Sequence, residues 1–164
     1  MLKTPRLCLR NLQERDIPAI HAWRNDPQCF RYQRWEDTSP ETVGDYVRSF
    51  ANSKFLSMEE EQHYAVCGEQ GIVGDLSYFY TKEDNCVTLG ITIAPAWQRR
   101  GYALEILAAV IAAVQERDPK LDIVALVDRD NAPSIALFES LGFAQECYAE
   151  KIASYVYVIY GKTG

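Results

Sequence analysis

Polar and hydrophobic positions alternate over Arg6-Leu7-Cys8-Leu9-Arg10, the two-residue period of a half-buried strand. The period then lengthens: Ile17, Ile20 and Trp23 recur at helical spacing between Glu14 and Asn25, and Asp26-Pro27 predicts a stop. Cys29 to Thr38 is aromatic and charged without a period and reads as a loop. Ser39-Pro40-Glu41 predicts a helix start, because serine caps free N–H groups, proline fits the first turn and glutamate complements the dipole. That helix is expected to run to about Asn52. His63 to Gly68 and Ile72 to Tyr80 read as strands around a Glu69-Gln70-Gly71 turn, and Cys86 to Ala94 extends them into an antiparallel meander. Gly101 to about Asp118 predicts a helix that is apolar nearly all round and therefore largely buried. Leu121 to Val127 is a continuous apolar run, as a central strand carries. Asn131 to Leu141 predicts a helix between an asparagine cap and a Gly142 stop, and Phe143–Cys147 and Ser154–Tyr160 follow as strands.

The resulting order, β-α-α-β-β-β-α-β-α-β-β, contains no repeat, linker or shift in composition. It predicts a single α/β domain over residues 1–164 with a mixed sheet. With 48% hydrophobic and 24% charged residues, the chain has material for a core and is not disordered. A net charge of −6 repels phosphate backbones, so no nucleic acid partner is expected, whereas a cationic amine would be attracted.

Cys8, Cys29, Cys67, Cys86 and Cys147 are odd in number and lack CxxC spacing, which argues against a disulfide framework and zinc and predicts buried reduced thiols. With His21 and His63 the only histidines, no metal site and no histidine-based triad is expected. The first residues lack an apolar signal core, and the longest apolar stretch, near Leu104–Val114, is too short for a bilayer. A cytoplasmic protein without membrane contact is expected.

The candidate chemistry lies in Ile91-Thr92-Ile93-Ala94-Pro95-Ala96-Trp97-Gln98-Arg99-Arg100-Gly101-Tyr102-Ala103. A strand ends, a short loop follows and a helix begins at once. The first N–H groups of a helix have no internal partner and carry partial positive charge, so they form an anion site. Gly101 permits a conformation or approach that a Cβ would block, Ala103 leaves room, and Arg99 and Arg100 add charge. These features predict a pyrophosphate cradle; a solvated turn with two exposed arginines has the same local sequence. The loop is neither a Walker A motif nor the Rossmann GxGxxG. In Asp128 to Phe143, a strand, loop, helix and turn in succession, Ile135, Phe138 and Leu141 read as core.

Taken together, the two segments resemble the Gcn5-related N-acetyltransferase (GNAT) superfamily. The family signature, Gln/Arg-x-x-Gly-x-Gly/Ala opening a helix, is matched in full by Gln98-Arg99-Arg100-Gly101-Tyr102-Ala103. The later asparagine, helix and Leu-Gly-Phe turn are matched by Asn131 and Leu141-Gly142-Phe143. Thr4-Pro5-Arg6-Leu7-Cys8-Leu9-Arg10 and Trp23-Arg24-Asn25-Asp26-Pro27 look like the Rim-type ribosomal-protein N-acetyltransferase branch. The resemblance implies a central mixed, mostly antiparallel sheet of about seven strands flanked by about four helices, splayed between the fourth and fifth strands.

It also implies acetyl-CoA as cosubstrate, with no metal. The pyrophosphate would rest on Gln98, Arg99, Arg100, Gly101, Tyr102 and Ala103. The pantetheine arm would pair with Ile91, Thr92 and Ile93, where a backbone N–H polarises the thioester carbonyl. Asn131 and Phe138 complete the cofactor contacts. Many members carry a tyrosine acid where this chain has Phe138, which has no proton to give. Ser134 is then expected as the thiolate's partner, or else as a residue of the helix cap.

Val87-Thr88-Leu89 supplies no carboxylate base; Glu150, taken as the catalytic carboxylate, and Asp75 are the candidates, each also readable as a surface acid, and a water chain needs neither. Phe30, Tyr32, Trp35, Glu36 and Asp37 would line the acceptor site, or close the core and face solvent. The implied activity is acetyl transfer to a primary amine, a protein N-terminus or a small molecule, by a monomer or homodimer. A non-catalytic CoA-binding sensor or assembly module is the alternative. A third reading, a nucleotide-binding domain, is opposed by the Asn131–Phe143 segment.

Overall fold

The computed structural model describes residues 1–32, 35 and 37–163, with Phe30 described by its backbone alone. In chain order the elements are β1 (Leu2–Lys3), β2 (Cys8–Asn11), a 3-10 turn (Glu14–Asp16), α1 (Ile17–Arg24), α2 (Pro27–Phe30), α3 (Pro40–Ser49), β3 (Gln62–Gly68), β4 (Gly71–Thr81) and β5 (Cys86–Ile93). After a second 3-10 turn (Pro95–Trp97) come α4 (Tyr102–Arg117), β6 (Asp122–Asp128), α5 (Ala132–Ser140), β7 (Ala144–Ala149), a third turn (Glu150–Ile152) and β8 (Ser154–Ile159). The eight strands form one sheet, ordered β1-β2-β3-β4-β5-β6-β8-β7. All neighbours are antiparallel except β5 and β6, giving the mixed, mostly antiparallel sheet that the resemblance implies.

Two elements exceed the expectation. β1 adds an edge of two residue pairs, Leu2↔Leu9 and Lys3↔Cys8. α2 replaces the start of the expected loop at Cys29. Asp26-Pro27 does end α1, but the Asp26 carboxylate also accepts from the Gln28 N–H at 2.8 Å, and Pro27 occupies the first turn. A pair that stops one helix thus caps the next.

The sheet separates two cores. Tyr64 and Val66 of β3 belong to the one under α4, with Ile106, Leu107, Val110 and Val114. Ala65 and Cys67, pointing the other way, belong to the one under α1 and α3, with Ile20, Trp23, Val43 and Val47. α4 is less buried than its composition predicts. Its inner face is closed, while Leu104 and the alanines Ala108 and Ala112 lie on an exposed face. Alanine favours the helix by its backbone propensity and does not require burial. Likewise β6 alternates: Ile123, Ala125 and Val127 are buried and Leu126 faces outward. Of the five free cysteines, Cys29, Cys67 and Cys86 are buried, Cys8 is half-buried and Cys147 is exposed.

The parallel β5–β6 ladder holds only three pairs, Cys86↔Asp122, Val87↔Ile123 and Thr88↔Val124. Beyond Thr88, β5 keeps its β4 partners, from Leu89↔Tyr78 to Ile93↔Gly74, while β6 diverges. Gly74 permits this close pairing, since a Cβ there would run into the Thr92 carbonyl. The sheet therefore opens between its β5 and β6 strands, the fourth and fifth of the sequence-predicted set.

Candidate active site

A groove of about 450 Å³ fills the opening. One wall is the end of β5 (Ile91, Thr92, Ile93), and another is the loop and first turn of α4 (Gln98, Arg99, Gly101, Tyr102, Ala103, Leu104). Asn131, Pro133, Ser134 and Leu137 of the α5 start close the far side, and Gln28, Cys29 and Tyr32 cover it. The Tyr32 hydroxyl donates to the Asp130 carbonyl at 3.2 Å, bridging this cover to the α5 loop.

The α4 loop has an unusual backbone. Arg99 and Gly101 both adopt left-handed conformations, with φ of 64° and 78°. The first helical bond runs from the Glu105 N–H to the Gly101 carbonyl, so the preceding N–H groups have no carbonyl partner within the helix. The Gln98 side chain turns back and donates to the Ile93 carbonyl at 2.9 Å, tying the loop to the end of β5. Arg100 stays out of the groove lining and stacks 4.9 Å over Trp97.

Sequence reasoning missed the clamp that holds this loop. The Arg6 Nη1 donates to the Arg100 carbonyl at 2.8 Å, and its Nε bonds Glu105 Oε1 at 2.7 Å. Thr4 Oγ1 and the Arg6 N–H both donate to Glu105 Oε2, at 2.5 and 3.0 Å. The Arg6 guanidinium also lies 4.7 Å over the Tyr102 ring. The sole signal was the Thr4-Pro5-Arg6 opening itself, because partners this far apart in sequence share no period.

At α5, the Asn131 side chain accepts from the Ser134 N–H at 3.2 Å. The cap therefore uses the serine backbone, and Ser134 lines the groove. Phe138 is 4% exposed and packs edge-to-face on Phe143 at 5.2 Å, so it is a core residue outside the groove lining. Glu150 is exposed on the β7–β8 turn and lines neither cavity. Glu36 and the side chain of Phe30 lie outside the described residues. Asp37 accepts from the Ser39 N–H at 2.9 Å and the Thr42 hydroxyl at 2.7 Å. The Thr42 bond, then Ser39, lowers its carboxyl, and its position fixes the start of α3.

A second cavity of about 90 Å³ lies between the sheet and the α1–α3 layer. Arg24, Trp35, Tyr46, His63, Asp75, Ser77 and Gly90 line it, together with Ile91 and Thr92, which it shares with the groove. Asp75 is no surface acid: it is 8% exposed. Burial raises its carboxyl, opposed by Arg24 and by the Tyr46 hydroxyl, which donates to it at 3.0 Å. Its placement at a strand interior between Gly74 and Leu76 was the available signal. The Arg24 guanidinium stacks 4.0 Å over Tyr46 and 5.1 Å over Trp35. Cys29 also borders the groove, but burial pushes its thiol up to about 11, which keeps it protonated and unreactive.

Among the described residues no cluster of His, Cys, Asp or Glu could hold a metal ion, and no helix is long and apolar enough to cross a membrane.

A family described as the acetyltransferase (GNAT) domain matches residues 6–144. An uncharacterized N-acetyltransferase of Bacillus subtilis, YnaD, is 21% identical over 152 residues, 92% of this chain and 86% of that protein. Among solved structures, a GNAT-family acetyltransferase from Bacillus anthracis superposes with a TM-score of 0.80 at 22% identity, covering 97% of both chains. The ribosomal L7/L12 alpha-N-protein acetyltransferase RimL, in complex with coenzyme A, gives 0.78 at 19% identity over 96% of this chain and 95% of its own.

Proposed function

Because the chain belongs to the GNAT acetyltransferase family and by that membership is an acetyl-CoA-dependent acyltransferase, we propose that it acetylates a primary amine, a protein N-terminus or a small molecule, by direct attack on the thioester. The observation that carries this reading is the groove between the parted β5 and β6, with the α4 N-terminus at its side.

The residues fit the cosubstrate. Three features suit a pyrophosphate: the α4 N–H groups, the Arg99 charge and the absence of a side chain at Gly101, where a Cβ would meet only Arg6 Nη2, at 3.4 Å. Beyond its last β6 pair, β5 borders the groove at Ile91–Ile93, and an extended amide chain would lie along it. Acetyl-CoA supplies an activated acyl group and a thiol leaving group. Ser134, which lines the α5 side of the groove, would hydrogen-bond that sulfur. The acceptor amine would enter through the second cavity, which meets the groove at Ile91 and Thr92.

Titration calorimetry with acetyl-CoA, with ATP as the control, tests the reading. Selective acetyl-CoA binding followed by thiol release over an amine panel is the expected result. Binding without turnover across the panel would favour a CoA-binding module, which Phe138 in place of a tyrosine acid would suit. No binding by folded protein would overturn both.

A further inference from the structure

A line of polar groups runs from the second cavity to the surface. Asp75 Oδ2 is 3.0 Å from the Tyr46 hydroxyl, which is 3.0 Å from His63 Nδ1, and His63 Nε2 is 2.9 Å from Glu61 Oε1. Exposure rises along it, from Asp75 at 10% of its side chain through His63 at 17% to Glu61 at 50%. Four elements or connectors contribute: β4, α3, β3 and the segment before β3.

The proton count of this line is informative. Three links require three protons. With both carboxylates ionised and the imidazole neutral, Tyr46 and His63 supply two, so one link is vacant. One added proton completes the line, and its loss at the far end restores the vacancy. Tyr46 stays a phenol, because burial holds its hydroxyl well above the ordinary range; it passes a proton on and does not store one.

We propose that Asp75, Tyr46, His63 and Glu61 form a proton relay that takes up the acceptor amine's proton at Asp75 and releases it to solvent at Glu61. The inference rests on the acetyl-transfer reading above. An acceptor ammonium loses two protons as its N–C bond forms and the thioester C–S bond breaks. One proton ends on the sulfur of free CoA. The other must leave the site, and the relay carries it.

Asp75 suits the first position. It borders the cavity, and its β4–β5 register partner is Thr92, at the junction with the groove. The charged and titratable groups facing it are Arg24 of α1, Cys29 of α2, Tyr46 of α3 and His63 of β3. Burial raises its proton affinity while Arg24 restrains it, which leaves a base that can accept and then release. Arg24, stacked on Tyr46, is a positioning residue that fixes the phenol between its two partners. At His63 the neighbours are Glu61, Tyr46 and, across Tyr46, Asp75, with the Phe50 ring tilted against it at a centroid distance of 4.3 Å.

The decisive test is a pH titration of the imidazole nitrogen-15 and aspartate carboxyl carbon-13 resonances in the whole protein. A shared proton makes the His63 curve carry a second inflection that coincides with the Asp75 inflection. Tyr46→Phe and Asp75→Asn are each expected to remove that second step while leaving His21 unchanged. A one-step His63 curve, identical in all three proteins, overturns the relay. If Asp75→Asn fails to fold, Tyr46→Phe alone decides.

For whichever amine the panel identifies, Asp75→Asn and His63→Gln should lower kcat/KM at neutral pH, about 10²- to 10⁴-fold for Asp75→Asn. The deficit should shrink as pH approaches the amine's own pKa, while acetyl-CoA affinity is retained. A pH-independent deficit would mean a structural role and overturn the proposal. Loss of acetyl-CoA binding by the wild type would instead sink the acetyl-transfer reading, and the resonance titration would still report on proton sharing.

Discussion

Arg6→Ala removes the centre of the clamp on the α4 loop. Three interactions disappear: the ion pair with Glu105 at 2.7 Å, the bond to the Arg100 carbonyl at 2.8 Å and the stack over Tyr102 at 4.7 Å. The Arg6 side chain is 47% exposed, so the ion pair is worth only about 0.5 kcal/mol. The charged bond to a carbonyl contributes about 1 kcal/mol and the stack about 0.5 kcal/mol. A stability loss of about 2 kcal/mol is therefore expected by urea denaturation.

The carbonyl bond and the stack act on the groove wall itself. Their loss should raise the acetyl-CoA Kd roughly five- to tenfold, where tenfold corresponds to about 1.4 kcal/mol. Arg6→Lys separates charge from geometry, because an ammonium cannot bond Glu105 and the Arg100 carbonyl through one planar fork. Weakened binding in both variants would assign the effect to geometry. A stability loss with unchanged Kd would refute the reasoning, since the loop would then hold its shape without the clamp.

Gly101→Ala has room but must hold a φ of 78°, so a stability cost of about 1–2 kcal/mol by denaturation is expected, whereas Gly101→Asp should abolish acetyl-CoA binding by calorimetry. Asn131→Ala deletes the α5 cap and should lower stability by about 1 kcal/mol. Ser134→Ala should lower kcat about 10²-fold with unchanged acetyl-CoA affinity; an unaltered kcat would confine Ser134 to packing. Asp75 also predicts a pH dependence of stability. Its folded value is raised above the ordinary 3.8, so the folded state keeps a proton that the unfolded chain has released. Its contribution is complete below 3.8 and is lost as pH rises through the raised value. Denaturation from pH 4 to 7 should thus show Asp75→Asn gaining stability relative to wild type; a constant difference would contradict the shift.

Most of the sheet was legible because its strands alternate and its helices carry their own caps. Ser39 and Asn131 cap as their sequence context predicts, accepting from Thr42 and Ser134. The local anion motif was legible for the same reason: a helix start needs no distant partner. Features that depend on distant contacts were not. α2 hid behind Asp26-Pro27, whose two roles share one sequence. Phe138 is core, as its own segment reads, whereas the cosubstrate contact that the resemblance implies is not matched, since its ring packs on Phe143 outside the groove lining. Asp75 was among the candidate bases in the sequence, but its burial and its partners Arg24 and Tyr46 depend on β4 placing it beneath α1 and α3.

The ladder between β5 and β6 ends after three pairs, and the rest of β5 faces the groove. Proteins ordinarily cover or blunt an unpaired strand edge, because it invites pairing with another chain. Here the stretch of β5 beyond its last β6 pair lies inside the sheet order and borders a groove lined by α4, α5 and Tyr32, whose hydroxyl bridges to the α5 loop. On the acetyl-transfer reading, the amide arm of the cosubstrate would serve there as a temporary strand. Amide exchange at this edge should slow when the groove is filled, and filling it should raise the melting temperature by mass action. The same backbone groups would leave the free protein open at its centre and make the loaded protein whole.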